Sequence, residues 1–169
     1  MNLAALALSA LVGLSPRPSA HPLPGWEETP ESHRARLERI ADDVGAVART
    51  PAEVAILVGI AWHESGIAPD VDAGACYRER GWSRRCDGGR AVSLWQLQSA
   101  DPERLDVWRR DRRAAATEAL RRALQSMRAC QAGPRLAMYA GGACHRGHQA
   151  ALELDESIRR ARRLMEAAP

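Results

Sequence analysis

Apolar positions fall into a few runs set off by Pro, Gly and charged residues. The most informative is Thr50–Gly66, TPAEVAILVGIAWHESG. Thr50 suits a helix N-cap, Pro51 the first turn, and Glu53 stands three residues after Thr50 as in a capping box. Gly66 suits the left-handed position past a helix end, and Pro69 follows soon after. Between these signals Val54 to Trp62 is almost wholly apolar, which leaves no polar stripe for water. A buried strand can read the same way. The length and the two end signals predict a helix through the middle of a core.

The rest of the pattern is also helical. Thr29-Pro30-Glu31 opens a helix to about Arg49, with Leu37, Ile40, Val44 and Val47 on a face expected against the Thr50 helix; Asp42 and Asp43 read as solvated. Asp101-Pro102 opens another by an Asp cap with Pro at the first position. It breaks near Asp111 and resumes to about Cys130, with Leu120, Leu124 and Met127 inward and Arg112, Arg113, Arg121 and Arg122 on a solvated face. Pro134 to Ala140 forms a short helix closed by Gly141-Gly142. The last helix covers about Gln149 to Ala167 with Leu152, Ile158 and Leu164 inward. Residues 70–90 hold Gly74, Gly81, Gly88 and Gly89 and read as a loop region, with a short hairpin at Asp87-Gly88-Gly89. The fold expected is mainly α, with a central buried helix and a small loop or β-hairpin region.

Length and charge narrow the class. A chain of 169 residues without internal repeats suits one domain. Its 24 basic residues are all arginine, and against 21 acidic ones they leave a formal charge of +3. That balance suits a polyanionic partner such as a bacterial cell wall. No nucleic-acid-binding motif accompanies the arginines, which argues against nucleic acid. Residues 3–14, LAALALSALVGL, are too few for a membrane span but suit the core of a signal peptide, with Ser19-Ala20 offering a cut before His21. No Arg precedes that run, and Pro18 stands just before Ser19. The organisation expected is a signal peptide over 1–20, a Pro-rich lead-in over 21–28 and one folded domain over 29–169, periplasmic or secreted.

Cys76, Cys86, Cys130 and Cys144 agree with export. Neither spacing is a CxxC, and four cysteines allow three connectivities. Sequential pairing, Cys76–Cys86 and Cys130–Cys144, is the simplest. Four reduced thiols in a cytosolic protein is the competing reading. His63 has no second His at the i, i+4 spacing of a metalloprotease. Cys144, His145 and His148 are a weak metal set if Cys144 is in a disulfide. No metal and no cofactor is expected.

The candidate chemistry starts at Glu64, in the last turn of the central helix. Burial and the negative end of the helix dipole both favour a protonated carboxyl there, as a general acid requires. Position alone favours the plainer reading, a solvated surface Glu beside Gly66.

Three pieces then follow in order: Glu64-Ser65-Gly66 after an apolar helix, Ser93-Leu94-Trp95-Gln96 after a glycine-rich loop, and Met138-Tyr139-Ala140-Gly141-Gly142 after a long helix. Together they resemble the lytic transglycosylases of the soluble-lytic-transglycosylase type, which have a goose-type-lysozyme-like fold. Those enzymes show Glu-Ser, then Gly-Leu-Met-Gln, then Ala-Tyr-Asn-Ala-Gly; Asp101-Pro102 also matches an Asp-Pro found between the last two. The resemblance covers about Thr50 to Gly142. Ser93 stands for the family's Gly, Trp95 for Met, Ala140 for Asn and Gly141 for Ala.

The resemblance implies a lysozyme-like fold with Glu64 as the acid/base. It also implies Ser65 helping to set the site, Trp95, Gln96 and Gln98 at the cleft, and Tyr139 near the acid. Trp62 and Trp95 could stack on sugars or simply pack; Tyr139 could be a core tyrosine, and Gln96 a loop-stabilising amide. A second carboxylate, if one exists, would be Asp70, Asp72 or Asp87. The function expected is a peptidoglycan lytic transglycosylase acting on glycan strands as a monomer, in contact with a cell-envelope or secretion machine if it has a protein partner. The alternatives are a hydrolytic muramidase and a non-catalytic wall-binding or secretion-apparatus module of the same fold.

Overall fold

A computed structural model describes residues 2–18, 25–75 and 90–167. It contains α1 (Leu3–Leu14), α2 (Pro30–Val47), α3 (Pro51–Ser65), α4 (Pro69–Asp72), β1 (Ala91–Val92), β2 (Leu97–Gln98), α5 (Pro102–Arg110), α6 (Arg112–Ala129), α7 (Ala137–Gly141) and α8 (His148–Glu166). The fold is mainly helical with one two-stranded antiparallel hairpin, in which Ala91 faces Gln98 and Val92 faces Leu97. The hairpin lies within Ala91–Gln98, and the expected Asp87-Gly88-Gly89 turn lies outside the described residues.

α3 is the central helix. Val54 to Ala61 are all buried. The Thr50 hydroxyl accepts from the Glu53 amide at 3.2 Å, and the Glu53 carboxylate reaches back past Thr50 to the Arg49 amide at 2.6 Å. Gly66 closes the helix in the left-handed conformation, φ 60°. Inside α3, a Cβ on Gly59 would stand 2.6 Å from the Ile158 Cα, so glycine here lets α8 lie directly against α3.

The stretch 3–14 forms α1, which docks on α2, α3 and α8 and buries Ala7, Ala10, Leu11 and Leu14. The Ser9 hydroxyl donates to the Leu164 carbonyl at 3.3 Å, and a Cβ on Gly45 would meet the Ala4 backbone at 2.7 Å. α2 therefore packs mainly on α1, and less on α3 than its apolar face suggested. Among the described residues no helix is long and apolar enough to cross a membrane.

Two further expectations are corrected. Leu152 is half exposed, at 51%; Ala151, Leu154, Ile158, Ala161 and Met165 form the inward face of α8. Arg112 is not on a solvated face. Its guanidinium grips both oxygens of Asp72, at 2.9 and 3.0 Å, and Asp43 at 2.6 Å, while Arg113 takes the other Asp43 oxygen at 2.7 Å. Asp43 is thus part of a tie between α2, α4 and α6.

Candidate active site

Glu64 lies in the last turn of α3, on the wall of a cleft of about 790 Å³. The hairpin supplies Trp95, Gln96 and Gln98, α6 supplies Glu118, Arg121, Arg122 and Gln125, and α7 supplies Tyr139 to Gly141. Burial pushes the Glu64 carboxyl up from 4.5 to about 7, so near neutrality a large fraction carries its proton.

The chain just past Glu64 is held in an unusual shape. Gly66 and Ile67 both have positive φ, and for a β-branched residue such as Ile67 (φ 54°) that is a strained conformation. Two contacts fix it: the Ile67 amide donates to the Ser65 hydroxyl at 3.1 Å, and Arg36 donates to the Ile67 carbonyl at 2.9 Å. Arg36 is itself forked onto Glu28 at 2.6 and 2.8 Å. Burial alone would raise the Glu28 pKa, but hydrogen bonds from Arg36 and His33 outweigh it and hold the carboxyl below its usual range. Ser65 is accordingly a backbone latch. Its hydroxyl also donates to the Ala61 carbonyl at 2.7 Å, and it is not among the residues lining the cleft.

Trp95 is a core residue, 1% exposed, with its indole N–H donating to the Leu57 carbonyl of α3 at 2.9 Å. Stacking on a sugar is not open to it. Its carbonyl accepts from the Tyr139 hydroxyl at 3.1 Å, which joins hairpin to α7 across the floor of the cleft. Burial, and next the charge of Glu64, keep the Tyr139 phenol far above its usual pKa, so it is a neutral donor. Gln96 lines the cleft with φ 49° and donates its amide to the Ser93 carbonyl at 3.0 Å. Gln98 is exposed at the rim.

Two of the departures from the family pattern acquire physical content. Ser93 has φ 66°, a conformation in which the family's Gly costs nothing. At Gly141 a Cβ would stand 2.7 Å from the Gly147 amide nitrogen, so an alanine would not fit without a shift.

The disulfide Cys130–Cys144 closes the segment that carries α7 and Tyr139. Cys76 and Cys86 lie outside the described residues, so the second bridge is not described. His148 spends Nε2 on the Cys144 carbonyl at 2.9 Å, and among the described residues no group of three His, Cys, Asp or Glu gathers to hold a metal.

Among the described residues the second carboxylate of the cleft is Glu118, which is not one of the candidates the sequence puts forward. Asp70 is buried in α4 and Asp72 is bound by Arg112; neither lines the cleft, and Asp87 lies outside the described residues. Glu118 accepts from Arg121 through both oxygens, each at 2.7 Å, and from Arg122 at 2.7 Å. The Arg121 bond first, against some burial, and then the Arg122 bond and the charges of both arginines lower its pKa from 4.5 to about 2. Arg121, which is solvent-exposed, and Arg122, which is partly buried, thus both line the cleft. The i, i+3 and i, i+4 spacing of Glu118, Arg121 and Arg122 was visible in the sequence and is the signal that points to them.

No protein-family model, curated protein or solved structure matches this chain.

Proposed function

We propose that the protein is an extracytoplasmic peptidoglycan lytic transglycosylase with Glu64 as its single acid/base. The observation that carries the reading is the contrast between the two carboxyls of one cleft. Glu64 is pushed to about 7 and retains a proton to give; Glu118 is pushed to about 2 and has both oxygens occupied by arginines. A pair with separated pKa values is the usual mark of divided roles in a glycosidase. Here the low one is too weak a base to activate water and too engaged to act as a nucleophile. Export is supported by the Cys130–Cys144 disulfide.

The chemistry that follows uses the substrate for what the described residues of the cleft do not supply. The Glu64 carboxyl protonates the glycosidic oxygen between N-acetylmuramic acid and N-acetylglucosamine, and the C1–O bond breaks. The muramoyl acetamido oxygen closes onto C1 and carries the positive charge as an oxazolinium ring. The Glu64 carboxylate then takes the proton of the muramoyl 6-hydroxyl, O6 bonds to C1, the oxazolinium ring reopens, and a 1,6-anhydro sugar leaves. The intramolecular acceptor has the advantage of proximity over water. Neutral Tyr139 and its bond to the Trp95 carbonyl hold the floor on which this occurs.

The test is release of soluble fragments from purified peptidoglycan by the wild-type protein and by Glu64→Gln, with circular dichroism to establish that both are folded. The amide keeps the shape and has no proton to transfer, so turnover is expected to fall by at least about a hundredfold. Fragment release by the variant at the wild-type rate would remove Glu64 from the role. Binding without release by the wild type would mean a wall-binding module.

A further inference from the structure

The α6 wall carries more charge than acid/base chemistry at Glu64 needs. Arg104, Arg121 and Arg122 line the cleft, and among the described lining residues Glu118 is the ionised carboxylate beside them when Glu64 is protonated. With Asp101 beside Arg104 and Glu118 beside Arg121 and Arg122, three arginines against two carboxylates leave a net positive charge at this wall among the described residues.

These arginines are organised in advance. Arg121 is forked onto Glu118 and donates to the Gln125 side-chain oxygen at 3.0 Å, yet 57% of its side chain remains exposed. Arg122 donates to Glu118 and to the Gln98 carbonyl at 3.1 Å, and its guanidinium lies over the Trp108 ring at 5.1 Å from the centroid. Glu118, with 15% of its side chain exposed, sits beneath them as their common anchor. Arg104 is the looser member, 68% exposed and 3.4 Å from Asp101. Guanidinium groups held in place in this way lose little freedom on binding a planar anion and can meet it with paired donors.

We propose that the Arg104–Arg121–Arg122 wall is a carboxylate-binding subsite, through which the protein prefers glycan strands bearing a free carboxylate beside the scissile bond. The proposal rests on the glycan-cleaving reading of the same cleft. In peptidoglycan that carboxylate has two sources: the lactyl group of a muramic acid without its peptide, and the acidic groups of the peptide stem.

The experiment is equilibrium binding of the full-length Glu64→Gln protein to three soluble probes. They are glycan strands stripped of peptide, strands carrying stems, and chito-oligosaccharides of the same length, which have no carboxylate. A charge-assisted pair is worth about 1.5–3 kcal/mol, so one or both carboxylate-bearing probes are expected to bind at least about tenfold more tightly than the chito-oligosaccharide. Which of the two gains identifies the source. Adding Arg121→Gln, or Arg104→Gln with Arg121→Gln, is expected to abolish the preference, bringing the affinity for the carboxylate-bearing probe down to that for the chito-oligosaccharide measured on the same variant. Equal affinity for all three probes, or a preference that survives both substitutions, overturns the subsite while leaving the glycan reading intact. Binding of none of the probes overturns both.

Discussion

At the residue scale the decisive property is the proton on Glu64. Its pKa of about 7 against an ordinary 4.5 means that the folded protein binds this proton more tightly than the unfolded chain does. The associated stabilisation is complete below about 4.5 and is lost as pH rises through about 7. Two outcomes follow from that sign. Turnover is expected to decline as pH rises through about 7, because the donor form disappears. Glu64→Gln is expected to melt higher than wild type at pH 8, where the wild-type protein holds a buried charge, with the gain shrinking towards pH 5. Thermal melts of both proteins across that range check it; parallel curves would mean that Glu64 is solvated. Glu64 was legible as a candidate from its place at the end of an apolar helix. The state of its neighbours was not. Trp95 was offered for sugar stacking, and only its bond to the Leu57 carbonyl shows it to be core. Glu118 carries an ordinary i, i+3 and i, i+4 pattern, which becomes a feature of the cleft only because α6 turns that face towards Glu64.

At the element scale, α3 was readable because three independent signals agree, the Thr50 cap, the apolar run and Gly66. α8 was misread for a simple geometric reason. Leu152, Ile158 and Leu164 are six residues apart, a spacing that walks round a helix, whereas Ala151, Leu154, Ile158, Ala161 and Met165 alternate by three and four and share one face. α1 is the sharpest case. A helix apolar on all sides reads the same whether it is a signal-peptide core or an interior helix. In the folded chain Leu11 is 0% exposed between its neighbours. In the full-length chain Leu11→Ala is expected to cost about 2–5 kcal/mol, as for other buried leucines. Denaturant unfolding of the two proteins measures it. A variant as stable as wild type would show that α1 does not stay docked, which is how a removable leader would behave.

At the scale of the whole molecule, the helices assign the carboxylates to separate jobs. Asp43 and Asp72 are used up by Arg112 and tie α2 and α4 to α6. Glu28 is used up by Arg36 and His33 and braces the strained turn after Glu64. Glu118 is used up by Arg121 and Arg122. Asp70, Asp72 and Asp87 are the second-carboxylate candidates on sequence grounds because they follow Glu64 along the chain; which partner a carboxylate meets is set by helix packing, as Arg112 on Asp72 shows. In the described cleft the result is one carboxyl with a proton to give and one locked as a permanent anion. With Glu64, once ionised, as the base, the proposed acceptor is the substrate's own 6-hydroxyl. Mass spectrometry of the muropeptides released from purified peptidoglycan tests this most directly. The account predicts products ending in 1,6-anhydro-N-acetylmuramic acid, each lighter by one water than the hydrolytic product. Products ending mainly in reducing N-acetylmuramic acid would contradict it, and would mean that water and not the 6-hydroxyl is the acceptor in this cleft.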